Sequence, residues 1–233
     1  MIGTSMAVWS DEYDLSQYVA EVDLQMEVSE AVRTSLASTA EEYRPLLPRA
    51  SVQISGYFDG VMPNGYAAEM EARLGAGSSV VSILTDRNDS DCAAYVLADA
   101  INYELNVGSP TSGLITLSGR FVGRSPVRRG LRIYDGTFSA ISDGAAVDFG
   151  AGVSTGGLAA LHVASITGTA NAATITVESS PDNSTWLSEG SFSVSAVGGY
   201  TLVLSGTVNR YVRLACDNLG GATAMRCMAI VSL

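Results

Sequence analysis

The chain has 233 residues, a formal net charge of −11, one histidine, three cysteines and 13 basic residues, every one of them arginine. Without lysine there is no P-loop lysine, no Schiff-base lysine and no S-x-x-K acylation pair. One histidine excludes an H-E-x-x-H metalloprotease, and three dispersed cysteines exclude a zinc site of four cysteines or of two cysteines and two histidines.

A hydrophobic share of 47% with 16% charged residues describes a globular, core-forming protein. The negative charge is concentrated early: residues 1–104 carry 17 acids and 5 arginines, residues 105–150 carry 3 and 5, and residues 151–233 carry 4 and 3. So acidic a segment does not wrap nucleic acid, because phosphate binding depends on cationic side chains that release counterions. Met1–Ser10 lacks the basic start of a secretory signal and runs straight into Asp11 and Glu12. No apolar run approaches the roughly 18 residues of a membrane span. Cys92, Cys216 and Cys227 sit in apolar stretches and are expected to be reduced and buried, consistent with synthesis in a cytoplasm.

The dominant period is two. Tyr18, Ala20, Val22, Leu24, Met26 and Val28 alternate with Val19, Glu21, Asp23, Gln25 and Glu27, which predicts a strand with an apolar face and an acidic one. Arg33–Arg49 contains Pro45 and Pro48 and is read as a long loop before the next strand, Ser51–Phe58. Asn64–Leu74 is the one expected helix, with Asn64 as its cap, Met70 and Leu74 at i, i+4, and Gly75 as its stop. Further strands are expected over Val80–Leu84, Tyr95–Leu105 and Leu114–Phe121.

Between the first two of these, Asp86–Asp91 resembles a calcium loop. It has Asp91 where glycine is needed and Leu97 where glutamate is needed, so it reads better as a polar turn, and no metal site is expected. Arg120, Arg124, Arg128, Arg129 and Arg132 are read as a solvated face or as ion-pair partners of an acidic surface rather than a phosphate patch.

Gly136–Gly157 is rich in Gly, Ser and Ala and looks like a flexible junction. Its Gly152–Gly156 run matches G-x-S-x-G around Ser154, but a strand follows instead of a helix, and His162 reads as a core or strand residue. No catalytic residues and no cofactor are expected. Short strands then recur at Leu158–Ala164, Ala173–Ser179, Ser191–Val197, Tyr200–Ser205, Val208–Cys216 and Met225–Ser232, the spacing of an antiparallel sandwich. Trp186 and Tyr200 could stack on a sugar, although aromatics in a sandwich are more often core.

Several segments resemble the major tail tube proteins of long-tailed bacteriophages: Met6–Leu15 with the acidic strand to Val28, Tyr43–Gly60, and Val127–Gly130 with Leu158–Trp186. The resemblance implies a mainly β protein, an antiparallel β-sandwich or barrel with one flanking helix over residues 1–135. After a junction at 136–157, a C-terminal β-sandwich module would span 158–233. It further implies a non-enzymatic virion tail subunit, made in the host cytoplasm, whose rings, usually hexameric, stack into a hollow tube. Its partners would be further copies of itself and other tail proteins, and DNA would pass through without specific binding.

On that reading Glu21, Asp23 and Glu27 face the lumen and supply about 18 carboxylates per ring if six subunits assemble. They would repel phosphate within roughly 8 Å. The alternative is that they solvate an outer sheet face. Arg33, Glu41, Glu42, Arg44, Leu46, Leu47 and Arg49 would contact the next ring, the alternative being a loop folded back on its own sandwich. Another virion β-protein, such as a capsid decoration or head–tail connector subunit, or a carbohydrate-binding module, is the competing assignment.

Overall fold

A computed structural model describes residues 5–32, 43–58, 66–89, 92–109, 111 and 113–233. The fold is mainly β and antiparallel. In chain order the first strands are β1 (Ala7–Ser10), β2 (Tyr13–Asp14), β3 (Val19–Val32) and β4 (Tyr43–Tyr57). A short helix, α1 (Tyr66–Ala72), leads to β5 (Ser79–Leu84), β6 (Ala93–Gly108), β7 (Thr116–Gly123) and β8 (Arg128–Phe138). Two short strands, β9 (Ser142–Asp143) and β10 (Val147–Asp148), precede β11 (Gly157–Gly168) and β12 (Ala173–Ser180). The chain closes with β13 (Leu187–Val194), β14 (Gly198–Leu204), β15 (Tyr211–Asn218) and β16 (Ala222–Ser232).

Contacts divide the chain into two compact units. The first joins Met1–Gln17, Ser79–Ala98 and Arg128–Leu233, and the second joins Tyr18–Ser78 and Asp99–Val127.

The first unit is a sandwich. One of its sheets runs β14-β11-β16-β8-β6-β5-β1-β2, and the other runs β10-β15-β12-β13 with β9 beside β15. The period-two pattern supplies the core: Ala173, Ile175 and Val177 of β12 and Val212 and Leu214 of β15 turn inward against Leu161, Val163, Met225 and Cys227 of the other sheet. Cys92, Cys216 and Cys227 are free thiols and all are buried. Burial pushes the Cys227 thiol up to about 12, which makes it inert. The Gly/Ser/Ala-rich stretch after residue 135 is not the flexible chain its composition suggests. β8 runs on to Phe138, β9 and β10 pair with β15, and the Phe149 and Val153 amides donate to Arg210 O and Val208 O at 2.9 and 2.8 Å.

The second unit is a four-stranded antiparallel sheet in the order β3-β4-β7-β6, with α1 on one face. Val52, Ile54, Leu117 and Phe121 are fully buried on that face, together with Tyr66 and Met70 of the helix. Asn102 Nδ2 donates to Met70 O at 3.0 Å, and the rings of Tyr18 and Tyr66 stack at 5.7 Å. The helix ends at Ala72, two residues before the expected Leu74; beyond it Gly75 adopts φ +66°, open to glycine at no steric cost, and its amide donates to Asn102 O at 2.8 Å. The expected cap, Asn64, lies outside the described residues.

Candidate functional surface

The face of the second unit's sheet opposite the helix is built mostly of polar side chains, with Val122 and Ile101 among them. Register places Glu21 beside Ser55, Asp23 beside Gln53, Gln25 beside Ser51, and Glu27 beside Arg49 on β3 and β4. On β7 and β6 the rows continue: Gln53 lies opposite Arg120, which lies opposite Glu104, and Ser55 lies opposite Ser118, which lies opposite Asn106. Because side chains in one cross-strand row share a face, these residues form one continuous surface. Glu21, Asp23, Glu27, Glu104, Arg49 and Arg120 are all exposed on it. Four carboxylates against two guanidiniums leave it at −2. Gln25 Nε2 donates to Asp23 Oδ2 at 2.8 Å, and Asn106 Nδ2 donates to Glu104 Oε1 at 2.7 Å, so neighbouring amides orient two of the acids.

The three acids singled out from sequence therefore do share one exposed face. Sequence reading missed their companions. Sequence proximity groups Arg120 with the arginines that follow it, although the alternation of Ser118, Arg120 and Val122 with Leu117, Gly119 and Phe121 is a signal that separates its face. Glu104 escaped notice because a bulge between Asn102 and Glu104 shifts the period of β6.

The loop expected over Arg33–Arg49 needs correction, because Tyr43–Arg49 is strand. Arg44 lies opposite Ala31, Pro45 opposite Glu30 and Pro48 opposite Val28, with a bulge between Val28 and Glu30. The prolines are tolerated because β7 pairs with β4 only from Ala50 onward, so this part of β4 has an edge without ladder bonds. Arg44 and Arg49 are exposed, and Leu47 is 83% exposed. Leu46 belongs to the same strand, while Arg33, Glu41 and Glu42 lie outside the described residues.

Two arginines of the 120–132 group are ion-paired. Arg124 Nε and Nη2 donate to Asp99 Oδ1 at 3.0 and 2.6 Å, and this guanidinium holds the Asp99 carboxyl below its usual range. Arg132 Nη1 lies 3.4 Å from Asp135 Oδ2.

The sharper motifs resolve into structure. Both ring nitrogens of His162 are engaged, with Ser82 Oγ and with Asp11 O, each at 2.7 Å, and Ser154 is not a partner. In the polar turn after β5, the Asn88 amide donates to Asp86 Oδ1 at 2.9 Å. Ser90 and Asp91 lie outside the described residues. Among the described residues no group of three His, Cys, Asp or Glu side chains is placed to hold a metal ion. Trp186 carries the Arg213 guanidinium 4.2 Å over its ring, and Arg213 is held in turn by Glu178 and Asp143 at 2.7 and 3.0 Å. No helix among the described residues is long and apolar enough to cross a membrane.

No family model matches the chain, and no curated protein matches its sequence. Solved structures match parts of its fold at low similarity. A chain from the virion of a native gene transfer agent particle is 11% identical, with 55% of this chain aligned to 96% of that one at a TM-score of 0.39. A chain from the sheath/tube terminator of an extracellular contractile injection system is 8% identical over 54% of this chain and 92% of that one, at a TM-score of 0.42. The Dit protein of phage SPP1, from a hub adsorption apparatus of phages infecting Gram-positive hosts, is 13% identical over 97% and 98% of the two chains, at a TM-score of 0.38. Likenesses of this size carry no argument about function.

Proposed function

We propose that the chain is a structural virion protein, a subunit of rings, usually hexameric, that stack into a hollow tail tube for DNA delivery. The observation that carries this reading is the edge of β3. The strand is 14 residues long and pairs with β4 alone among the described strands. Such an edge is a template for another chain, and closing a ring of copies into a barrel removes it. Exposed apolar side chains support the same reading. Of the sixteen large ones among the described residues, twelve lie in the second unit, Met26, Val28, Tyr43 and Leu47 on its β3–β4 hairpin among them. Concentration of this kind marks an assembly surface.

In such a ring α1 shields the outer face of each sheet and the open polar face turns to the bore. Glu21, Asp23, Glu27 and Glu104 then repel DNA phosphates at short range, within roughly one Debye length of about 8 Å. Arg33, Glu41, Glu42, Arg44, Leu46 and Leu47 meet the next ring head to tail. Arg49, on the same face as Glu27, belongs to the bore as well.

Electron microscopy of the purified chain tests the proposal directly. Stacked rings with a central hole are the expected result. Globular monomers, or closed trimers that never stack at high concentration, would overturn it and favour a capsid decoration or head–tail connector subunit.

A further inference from the structure

We propose that Arg49, Ser51 and Arg120 form an oxyanion subsite on the open face of the second unit's sheet, with a phosphate group as its ligand. The identification of the phosphate as one on a DNA backbone rests on the tail-tube reading above; the site itself does not.

Arg49 and Arg120 reach from adjacent strands into one depression of about 90 Å³, lined also by Glu27, Ala50, Ser51 and Val122. Neither guanidinium makes an ion pair or a hydrogen bond with any described residue, although Glu27 and Glu104 stand in the cross-strand positions beside them. Among the described residues Arg44, Arg128 and Arg129 are likewise unpaired, whereas Arg124 binds Asp99, Arg210 binds Asp148 and Arg213 binds Glu178; Arg49 and Arg120 differ from the other unpaired arginines in sharing one depression with a serine hydroxyl. Ser51 lies between the two cations on the same face, two residues from Arg49 and diagonal to Arg120, and adds a hydroxyl donor.

Two planar donor forks and a hydroxyl converging on a small depression match the tetrahedral oxygens of a phosphate better than a flat carboxylate. With Glu27 at the rim, the depression carries a charge of +1, which suits a singly charged phosphodiester. The surrounding acids Asp23 and Glu104 belong to the adjoining depression, which Arg120 also lines. They keep the contact weak. A face that repels DNA generally, yet offers one cationic point per copy, lets a phosphate touch briefly and leave.

The test uses the full chain at low ionic strength. Inorganic phosphate, and separately a short DNA duplex, are titrated while NMR follows the Nε–H signals of Arg49 and Arg120. The expected result is a saturating shift of both signals with phosphate, weakened at least tenfold for the remaining arginine in Arg49→Gln and in Arg120→Gln. Weakening in Ser51→Ala and tightening in Glu27→Gln are expected as well, since that carboxylate opposes the anion. Signals that stay still, or binding unchanged in the single arginine variants, overturn the subsite. Saturation with phosphate but no response to the duplex overturns its link to DNA. Microscopy of the same samples separates the two proposals. Tubes that form while the titration fails leave the assembly reading standing, and a positive titration on a chain that never forms rings removes the tube reading alone.

Discussion

The Oγ of Ser82 on β5 lies 2.7 Å from Nε2 of His162 on β11, and both side chains are completely buried. The other ring nitrogen faces the carbonyl of Asp11, which can only accept, so Nδ1 carries the proton and Nε2 receives the Ser82 hydroxyl. This neutral imidazole ties the turn after β1 to the centre of the sheet. Burial pushes its pKa down from 6.5 to about 4, against the raising effect of the Asp11 carbonyl. As pH falls, the unfolded chain takes up the proton first, so stability declines from about pH 6.5 and the loss is complete near pH 4. The difference between those values corresponds to a loss on the order of 3 kcal/mol. Urea midpoints measured across this range should flatten in His162→Gln relative to the parent chain. Equal slopes in the two proteins would show that His162 is not the titrating group.

Tyr66 buries its hydroxyl without a hydrogen-bond partner among the described residues, while its ring stacks on Tyr18. Burial pushes the phenol up to about 12, so the group stays neutral at any working pH. Removing an unsatisfied buried hydroxyl relieves a desolvation cost and leaves the stacked rings in place. Tyr66→Phe should therefore raise the unfolding free energy by about 1 kcal/mol. A loss of similar size, read from the urea midpoint at constant m, would mean that the hydroxyl has a partner in solution.

Two glycines of the second unit make a matched comparison. A Cβ on Gly56 would run into the backbone carbonyl of Tyr18, whereas one on Gly119 would clash only with the terminal methyl of Met70, the nearest backbone atom, Glu104 O, standing at an ordinary 3.4 Å. Backbone cannot step aside cheaply, but a flexible thioether can. Gly56→Ala should cost about 1–3 kcal/mol and Gly119→Ala less than half of that, by chemical denaturation. The reverse order would mean that the Tyr18 segment yields more readily than the helix.

Much of this architecture was legible because its strands alternate cleanly. The acidic face of β3 and most of the C-terminal strands follow from apolar residues at every second position, and Val80–Leu84 from a short continuous apolar run buried on both faces; the strand expected over Ser191–Val197 instead runs Leu187–Val194. The readings failed where that rule is masked. Pro45 and Pro48 suggested a loop, yet an unpaired edge lets a strand keep both. Glycine, serine and alanine over Gly136–Gly157 suggest flexibility, yet β8 runs on to Phe138 and the backbone beyond it is pinned to β15 and its approach by hydrogen bonds that leave no side-chain signal. Partnership across sequence was equally silent: nothing in Ala7–Ser10 announces that β1 belongs with β5, and nothing in Arg120 announces that it shares a row with Gln53 and Glu104. The three acids could be placed on one face from the period alone, but the cations set among them required the register.

That register also shapes how the acidic face should be tested. Reversing Glu27 to arginine places two guanidiniums directly opposite each other, because Glu27 and Arg49 are register partners, and like charges in that position destabilise a sheet. Asp23 is less exposed to this effect, since its partner is the neutral Gln53. A neutral set, Glu21→Gln, Asp23→Gln and Glu27→Gln, therefore serves as the control for folding and assembly. The reversed set, Glu21→Arg, Asp23→Arg and Glu27→Arg, carries the charge question. Both should form rings if the face lines a water-filled bore, with the reversed set less stable by about 1 kcal/mol from the Glu27 position. Tubes of the reversed set should retain DNA in a form that high salt releases, because each phosphate neutralised contributes to the salt dependence. Tubes of the neutral set should retain far less. Failure of both sets to assemble would place these side chains in a subunit contact, and normal tubes that never hold DNA would place them on the exterior.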